Sequence, residues 1–182
     1  MRLRSQTATA SGWCIPLDKR LTLRQIALFG MLGAITFAAK VAMAGLPNIE
    51  PVTLFVAVFA VVFGKKALYP IYTYVTMELL FYGLHLWSIN YLYVWLILAV
   101  AAWLLRSVQE PLVWAVICGG YGLLFGFFCI PVYLVSGGPG YALSWWLSGI
   151  PFDIAHCIGN FVMALLLFVP LRKLLTKLYA RL

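Results

Sequence analysis

The sequence predicts an all-α membrane protein, a bundle of six transmembrane helices with both termini in the cytoplasm. Hydrophobic residues make up 64% of the chain and charged residues only 10%, whereas a soluble domain is about half apolar and about a quarter charged. Apolar runs of bilayer-spanning length recur along the whole sequence, and Lys and Arg gather in alternate connections between them. No part of the sequence is left for a soluble catalytic domain, so we expect any chemistry to take place within or between the helices.

Six apolar segments divide the chain. The second is the shortest and falls short of the roughly 20 residues of a typical spanning helix; it is short, re-entrant, or extended by lysines that snorkel to the interface. A basic cytoplasmic segment, 1–22, precedes a membrane domain at 23–170. An amphipathic cytoplasmic segment, 171–182, follows and suits the inner membrane surface or a partner. The predicted membrane segments are about 23–44, 51–63, 67–86, 91–105, 111–135 and 147–169.

The positions of the basic residues set the predicted orientation. With six crossings, every Lys and Arg except Lys40 falls on the face that holds the termini, the Lys65-Lys66 turn and the Arg106 turn. The positive-inside rule makes that face cytoplasmic, which predicts a multi-pass protein of the cell membrane. The net charge of +8 therefore reflects membrane topology, and we expect no nucleic-acid partner.

The motifs of common enzymes and metal sites are absent from the sequence. Residues 64–66 lack the glycine and the hydroxyl of a phosphate loop, and no H-E-x-x-H or G-x-S-x-G occurs. Neither histidine stands at ligand spacing from a second histidine or a cysteine, and the cysteines are scattered. We therefore predict no metal, no cofactor and no catalytic residue. The cysteines are Cys14, Cys118, Cys129 and Cys157.

Two of the predicted helices carry polar faces in their outer halves. Ionisable residues inside a membrane are costly and normally face a bundle interior or a cavity. Residues at spacings of three and four lie on one face of a helix, so each set points in one direction. Pairing of Asp153 with His156 is the alternative interpretation of the second set. The sets are Tyr74, Glu78, Tyr82 and His85 in the third segment and Asp153, His156 and Asn160 in the sixth.

Lys40 and the hairpin "GLPNIEP" at 45–51 converge on the same side of the membrane. Two prolines stiffen the hairpin because proline fixes φ and restricts the residue before it. Asn48 and Glu50 are then presented over the mouth of a pocket, as substrate contacts or as a latch. Internal pairing of Lys40 with Glu50 or Glu78 is the alternative interpretation.

The outer connections are rich in aromatic and amide side chains and contain no Lys or Arg. An aromatic belt at the headgroup level accounts for any single Trp or Tyr among them. Together with the two polar faces, however, they predict an outward-facing pocket with an aromatic lining, as small-molecule sites are usually built. The predicted substrate-binding residues are Lys40, Asn48, Glu50, Glu78, Tyr82, His85, Asn90, Tyr141, Trp145, Asp153, His156 and Asn160.

A stripe of small residues runs along the first helix at every fourth position: Gly30, Ala34, Ala38 and Ala42. Such stripes let another helix approach closely. The stripe is therefore a candidate interface with a partner subunit, and packing within the protein's own bundle is the alternative.

The first helix and the hairpin together resemble a known family. The residues that carry the resemblance are "LRQIALFGMLGAITFAAK", with its Ala34-x-x-x-Ala38 stripe, and the "LPNIEPVTLF" that follows. The chain is similar to the substrate-binding S-components of energy-coupling factor (ECF) vitamin transporters. Six crossings and basic cytoplasmic ends extend that likeness over nearly the whole chain.

The resemblance implies a role in capture and delivery. S-components bind one vitamin or related micronutrient on the outer side, beneath loops that include the one between helices one and two, and they topple in the membrane to carry it inward. Their partners are a membrane scaffold subunit and two cytoplasmic ATPase subunits, which hydrolyse the ATP. Transposed here, Ala34 and Ala38 meet the scaffold and 45–51 forms the gating loop. The first expectation for the transported ligand is cobalamin, with a queuosine precursor and pantothenate as alternatives.

Other functions remain open at this point. A self-sufficient transporter of a small polar solute would use Glu78 and Asp153 to bind and release protons within the membrane. An intramembrane enzyme would use His85 or His156 as its base, but no nucleophile motif accompanies them. A purely structural membrane subunit would leave the polar faces in the outer half unexplained.

Overall fold

The computed structural model describes residues 21–46 and 49–182, and this part of the chain is helical without strands. The prediction of an all-α protein is confirmed. Asn48 and most of the basic segment 1–22 lie outside the described residues. The helices are α1 (Leu23–Ala42), α2 (Val52–Phe63), α3 (Leu68–Tyr82), α4 (Leu86–Tyr91), α5 (Val94–Leu104), α6 (Pro111–Leu123) and α7 (Phe125–Tyr179), with a 3₁₀ turn (Gly64–Ala67) between α2 and α3.

Several helical stretches are compatible with a multi-pass membrane protein. In the described ranges, four stretches are long and apolar enough to cross a bilayer. Two of them are much longer than the roughly 20 residues that a crossing needs, and each of these two contains a glycine with positive φ. The four stretches are Leu23–Ala42, Val52–Tyr82, Leu86–Leu104 and Pro111–Tyr179.

Helix α7 folds back on itself at Gly138. This residue has φ 80° and ψ 179°, a conformation that favours glycine because it has no Cβ. Asp153 accepts a hydrogen bond of 3.1 Å from the backbone N–H of Gly126, although the two residues would be about 40 Å apart in a straight helix. The rings of Tyr133 and Trp145 stack with centroids 3.7 Å apart. The element therefore consists of two antiparallel arms, 125–137 and 139–179.

Helix α2 lies at the centre of the bundle. It has only 12 residues, and most of their side chains are buried. At one end Thr53 accepts a hydrogen bond of 3.0 Å from Asn160, and at the other Phe63 packs edge-on against Tyr179. The chain then reverses at Gly64, where φ is 57°. An apolar surface on every side is what a helix surrounded by protein needs, which explains why the second predicted segment is both short and uniformly hydrophobic.

The basic residues of several connections meet at one end of the bundle, which we call the basic end. Lys66 Nζ lies 3.4 Å from the Gln25 side-chain oxygen, near the capping box that begins α1. The guanidinium of Arg172 donates to the carbonyl of Arg106 over 3.3 Å, and Arg106 in turn lies over the ring of Trp103. The opposite end, where α1 and α3 finish, we call the cavity end.

Some predicted boundaries were wrong, and the glycines and prolines explain why. The third predicted segment, 67–86, is too long because α3 ends at Tyr82, where Gly83 adopts φ 82°. The sixth predicted segment, 147–169, begins too late, because the helical arm starts at Pro139. Proline suits the first turn of a helix, where the backbone N–H that it lacks would have no partner within the helix. The same arm runs on to Tyr179, so the predicted amphipathic segment 171–182 mostly continues α7.

Candidate functional site

A cavity of about 370 Å³ opens at the cavity end of the bundle. It lies between α1, the hairpin that leads into α2, the end of α3, the short helix α4 and the two arms of α7. Six of its lining residues are among those predicted from the sequence. The lining residues are Lys40, Met43, Ala44, Leu46, Ile49, Glu50, Glu78, Tyr82, His85, Trp87, Ser88, Tyr91, Phe125 and His156.

Lys40 and Glu78 form an ion pair in the wall of this cavity. Lys40 Nζ lies 2.7 Å from Glu78 Oε2, with 18% and 5% of the two side chains exposed. The ammonium also donates to the hydroxyl of Tyr91 over 3.3 Å, and it lies over the rings of Tyr82 and Tyr91 at 5.4 and 5.0 Å from their centroids. The lysine is therefore held by one carboxylate and two aromatic rings, and it points into the protein instead of snorkelling to the surface.

Tyr91 connects the charged part of the cavity to its aromatic part. Its hydroxyl accepts a hydrogen bond of 3.0 Å from Trp87 Nε1, one turn away on α4. Its ring packs edge-on against Trp95, and Trp87 packs against Phe125 with ring centroids 5.8 Å apart. The outcome is a wall of flat side chains next to a fixed positive charge.

Two buried polar atoms in the cavity wall lack a protein partner. Glu78 Oε1 and His156 Nε2 accept or donate no hydrogen bond among the described residues, and His156 is only 3% exposed. The large majority of buried polar atoms in native proteins are hydrogen-bonded, because leaving one unpaired costs free energy. The cavity therefore presents groups that a ligand or water molecules would satisfy.

Glu50 lies at the mouth of the cavity, outside the helices. Burial raises the pKa of its carboxyl from the ordinary value to about 7, while the charge of Lys40 lowers this pKa and that of Glu78 raises it. The neighbouring Ile49 fixes its position: a Cβ added at Gly159 would lie only 3.2 Å from Ile49 Cγ2, so the isoleucine side chain fits against α7 because a glycine faces it.

A smaller cavity of about 290 Å³ adjoins the first and shares Trp87 and Phe125 with it. Asp153 and Trp145 belong to this second cavity. Asp153 accepts hydrogen bonds from the backbone N–H of Gly126. The alternative interpretation, pairing of Asp153 with His156, is therefore not what the structure has.

Three further predicted residues, Asn90, Tyr141 and Asn160, line neither of these two cavities. Asn90 is buried, accepts a hydrogen bond from Tyr93 and donates to the carbonyl of Leu86. Asn160 is bound to Thr53 below the main cavity. Tyr141 is half exposed and packs against another tyrosine. His85 reaches the main cavity, but as the N-cap of α4, because the break at Gly83 removes it from the helical face of Glu78 that the spacing had predicted.

Sequence reasoning missed four lining residues that do much to shape the cavity: Trp87, Ser88, Tyr91 and Phe125. The first and third stand four apart, a spacing that could have suggested one helical face. Phe125 stands in a uniformly apolar stretch and gives no such signal, because only the position of the break between α6 and α7 turns it toward the cavity.

The small-residue stripe of α1 is largely free of contacts with the rest of the described protein. A Cβ added at Gly30 would meet nothing within 4 Å, and Ala38 and Ala42 are exposed. Helix α1 instead approaches α3 through Gly33, where an added Cβ would lie 2.8 Å from the carbonyl oxygen of Pro70. The assignment of this stripe to a partner interface stays a prediction.

Comparisons of the chain with protein-family models, with curated proteins and with solved structures find no match. In the part of the chain that the structure describes, no three His, Cys, Asp or Glu side chains are grouped to hold a metal ion.

Proposed function

We propose that this protein is a membrane substrate-binding subunit, the S-component of an ECF-type importer, which captures a small micronutrient from outside the cell. The observation that carries the proposal is the cavity at the end opposite the basic residues, with unpaired polar atoms in an aromatic wall.

The orientation follows from the two chain reversals and the charges. Reversals at Gly64 and Gly138 divide the two longest apolar stretches, which supports six crossings of the bilayer. Lys66, Arg106 and Arg172 share the basic end, which the positive-inside rule assigns to the cytoplasm together with both termini. The cavity then faces outward.

The size of the cavity bears on the ligand. A volume of about 370 Å³ equals that of roughly a dozen water molecules in the liquid. It suits a small molecule of the size of a simple vitamin, and a complete cobalamin is far larger. Of the ligands that the family resemblance suggests, a queuosine precursor or a vitamin of similar size such as pantothenate is therefore favoured over cobalamin.

The proposed partners are a membrane scaffold subunit and two cytoplasmic ATPases. Support comes from the exposed small residues Ala38 and Ala42 on α1, a surface that another helix can approach closely. In this scheme the ATPases supply the energy and the loaded S-component topples to present its cavity to the cytoplasm.

A second candidate is a proton-coupled transporter that works alone. One observation favours it: the Glu50 carboxyl, whose pKa is raised to about 7, would exchange a proton at physiological pH. Uptake driven by a proton gradient without ATPase subunits is the outcome that separates the two candidates.

The test starts from the purified full-length protein, titrated with pantothenate, a queuosine precursor and cobalamin. It is then reconstituted in vesicles with and without scaffold and ATPase subunits. We expect saturable binding by the protein alone, and uptake only with the partners and ATP.

Ala38→Trp on the exposed stripe is expected to abolish uptake and leave binding intact. Leu166→Trp, at a position 65% exposed on α7, is the matched control and retains both. Uptake by the protein alone contradicts the proposal.

A further inference from the structure

We propose that the cavity selects a ligand with a protonated amino group next to an aromatic ring, and that Glu50 and the free oxygen of Glu78 accept the N–H groups of that amine. The inference rests on the proposed function only to the extent that this cavity is the substrate site. It adds the charge and the hydrogen-bonding pattern of the substrate.

The charges that line the cavity are unbalanced. Lys40 is already paired with Glu78 at 2.7 Å, whereas no described residue donates a hydrogen bond to Glu50. With both carboxylates ionised, the cavity holds one negative charge in excess. An uncompensated charge away from water is costly, and a cationic ligand would remove that cost. An anionic ligand would instead add a second negative charge.

The free hydrogen-bonding groups are mainly acceptors. The donors of Lys40 are directed at Glu78 and Tyr91, and the indole N–H of Trp87 is directed at Tyr91 as well. What remains among the described residues is Glu78 Oε1 and His156 Nε2, both buried without a partner, and the carboxylate of Glu50, so the free carboxylate oxygens outnumber the single imidazole nitrogen. An ammonium group brings three donors and no acceptor, so it complements these oxygens.

The aromatic side chains provide a place for the ring. Trp87 and Phe125 line one side of the cavity, and Tyr82 and Tyr91 line the side next to Lys40. Trp87 and Phe125 already pack on each other with ring centroids 5.8 Å apart, and where they line the cavity they can make stacked or edge-on contacts with a further ring. A cation close to such faces gains additional attraction.

The protonation of Glu50 gives the inference a pH signature. Because burial raises the pKa of this carboxyl to about 7, the empty cavity holds a proton there over part of the neutral range. Binding of an ammonium group favours the ionised carboxylate and expels that proton. The titratable and charged groups that share the cavity with Glu50 are Lys40, Glu78, Tyr82, His85, Tyr91 and His156.

The experiment uses the full-length protein in lipid nanodiscs and pairs of probes that differ only in the amine. The pairs are pyridoxamine against pyridoxine, tryptamine against tryptophol, and the aminomethyl against the cyano precursor of queuosine. We expect the amine of at least one pair to bind at least about tenfold more tightly, the effect of one hydrogen bond to a charged group. Its affinity is expected to rise with pH through about 7, with release of protons to the buffer.

Matched variants locate the effect. Glu50→Gln keeps the size of the side chain and removes its charge, so the preference for the amine is expected to disappear. Glu110→Gln makes the same change at an exposed residue at the start of α6, and the preference is expected to persist. Proton release measured on the unmodified protein serves as a second readout if Glu50→Gln does not fold.

Three results overturn the inference: tighter binding of the neutral member of every pair, an unchanged preference in Glu50→Gln, or no binding of any amine at millimolar concentration. These results are distinct from a failure of the proposed function. If pantothenate binds and is imported with the scaffold and ATPases, the proposed function is supported and the preference for an amine is not. If an amine binds through Glu50 and enters vesicles without ATPases, the preference for an amine is supported and the proposed function is not.

Discussion

The two ends of the bundle are built from similar aromatic residues and use them differently. At the basic end, Phe63 packs against Phe29 and Tyr179, and the core there is filled by hydrocarbon contacts. At the cavity end, Tyr82 and Tyr91 flank the ion pair of Lys40 and Glu78, and some buried polar atoms lack a partner among the described residues. The difference indicates that stability is concentrated in the well-packed half. The other half, where some polar atoms lack hydrogen-bond partners, is available for a ligand.

The largest expected effect breaks the packed half. Phe168 is fully buried and stacks on Trp114 with ring centroids 4.3 Å apart. Phe168→Ala is expected to lower the free energy of unfolding by about 4 kcal/mol through lost contacts and a cavity, with little change in ligand affinity at the other end. Thermal unfolding and a binding titration on the same variant check this. A loss of affinity with unchanged stability would contradict the division between the two ends.

The next effect concerns the ion pair of the cavity half. Lys40→Met leaves the carboxylate of Glu78 buried without its cation, which is expected to cost about 3 kcal/mol of stability. Lys65→Met removes a lysine that is exposed at the basic end and serves as the control, with little expected change. Adding Glu78→Gln to Lys40→Met is expected to recover most of the loss. If the double variant is no more stable than the single one, the pair does not act as described.

A smaller effect tests the contact between α6 and the second arm of α7, which supports both halves. A Cβ on Gly122 would lie 2.9 Å from the backbone oxygen of His156, whereas one on Gly120 would meet nothing within 4 Å. Gly122→Ala is therefore expected to lose about 2 kcal/mol by overpacking. Gly120→Ala is expected to gain up to about 1 kcal/mol from helix propensity. Equal thermal stabilities for the two variants would show that the helices are not this close.

The last expected effect is a pH dependence specific to the cavity half. The folded protein holds the Glu50 proton more tightly than the unfolded chain, because burial raises its pKa from 4.5 to about 7. Its contribution to stability is greatest at low pH and is lost as the pH rises from about 4.5 to about 7. The difference in Tm between the unmodified protein and Glu50→Gln is expected to change over this window and to stay constant above it. A difference independent of pH would indicate an ordinary exposed carboxyl.

The sequence was sufficient for the helical class and for the charged part of the cavity. Lys40, Glu78 and Glu50 are conspicuous because charges are rare in so apolar a chain, and the structure brings all three to one cavity. His85 was placed on the wrong element because helical spacing alone does not reveal the break at Gly83. The position of Phe125 could not be predicted either, since many apolar residues look alike until the packing of α6 and α7 is known.

The shortness of α2 has a consequence for the path of a solute. Twelve residues extend about 18 Å along a helix axis, against a hydrocarbon layer about 30 Å thick. Glu50 stands two residues before the first residue of this helix. If the Gly64 end of α2 lies at the cytoplasmic boundary of the lipid tails, as in the proposed orientation, a molecule held at Glu50 lies below their outer boundary. Binding alone would thus cover part of the distance across the membrane, and the movement that remains for the protein is correspondingly shorter.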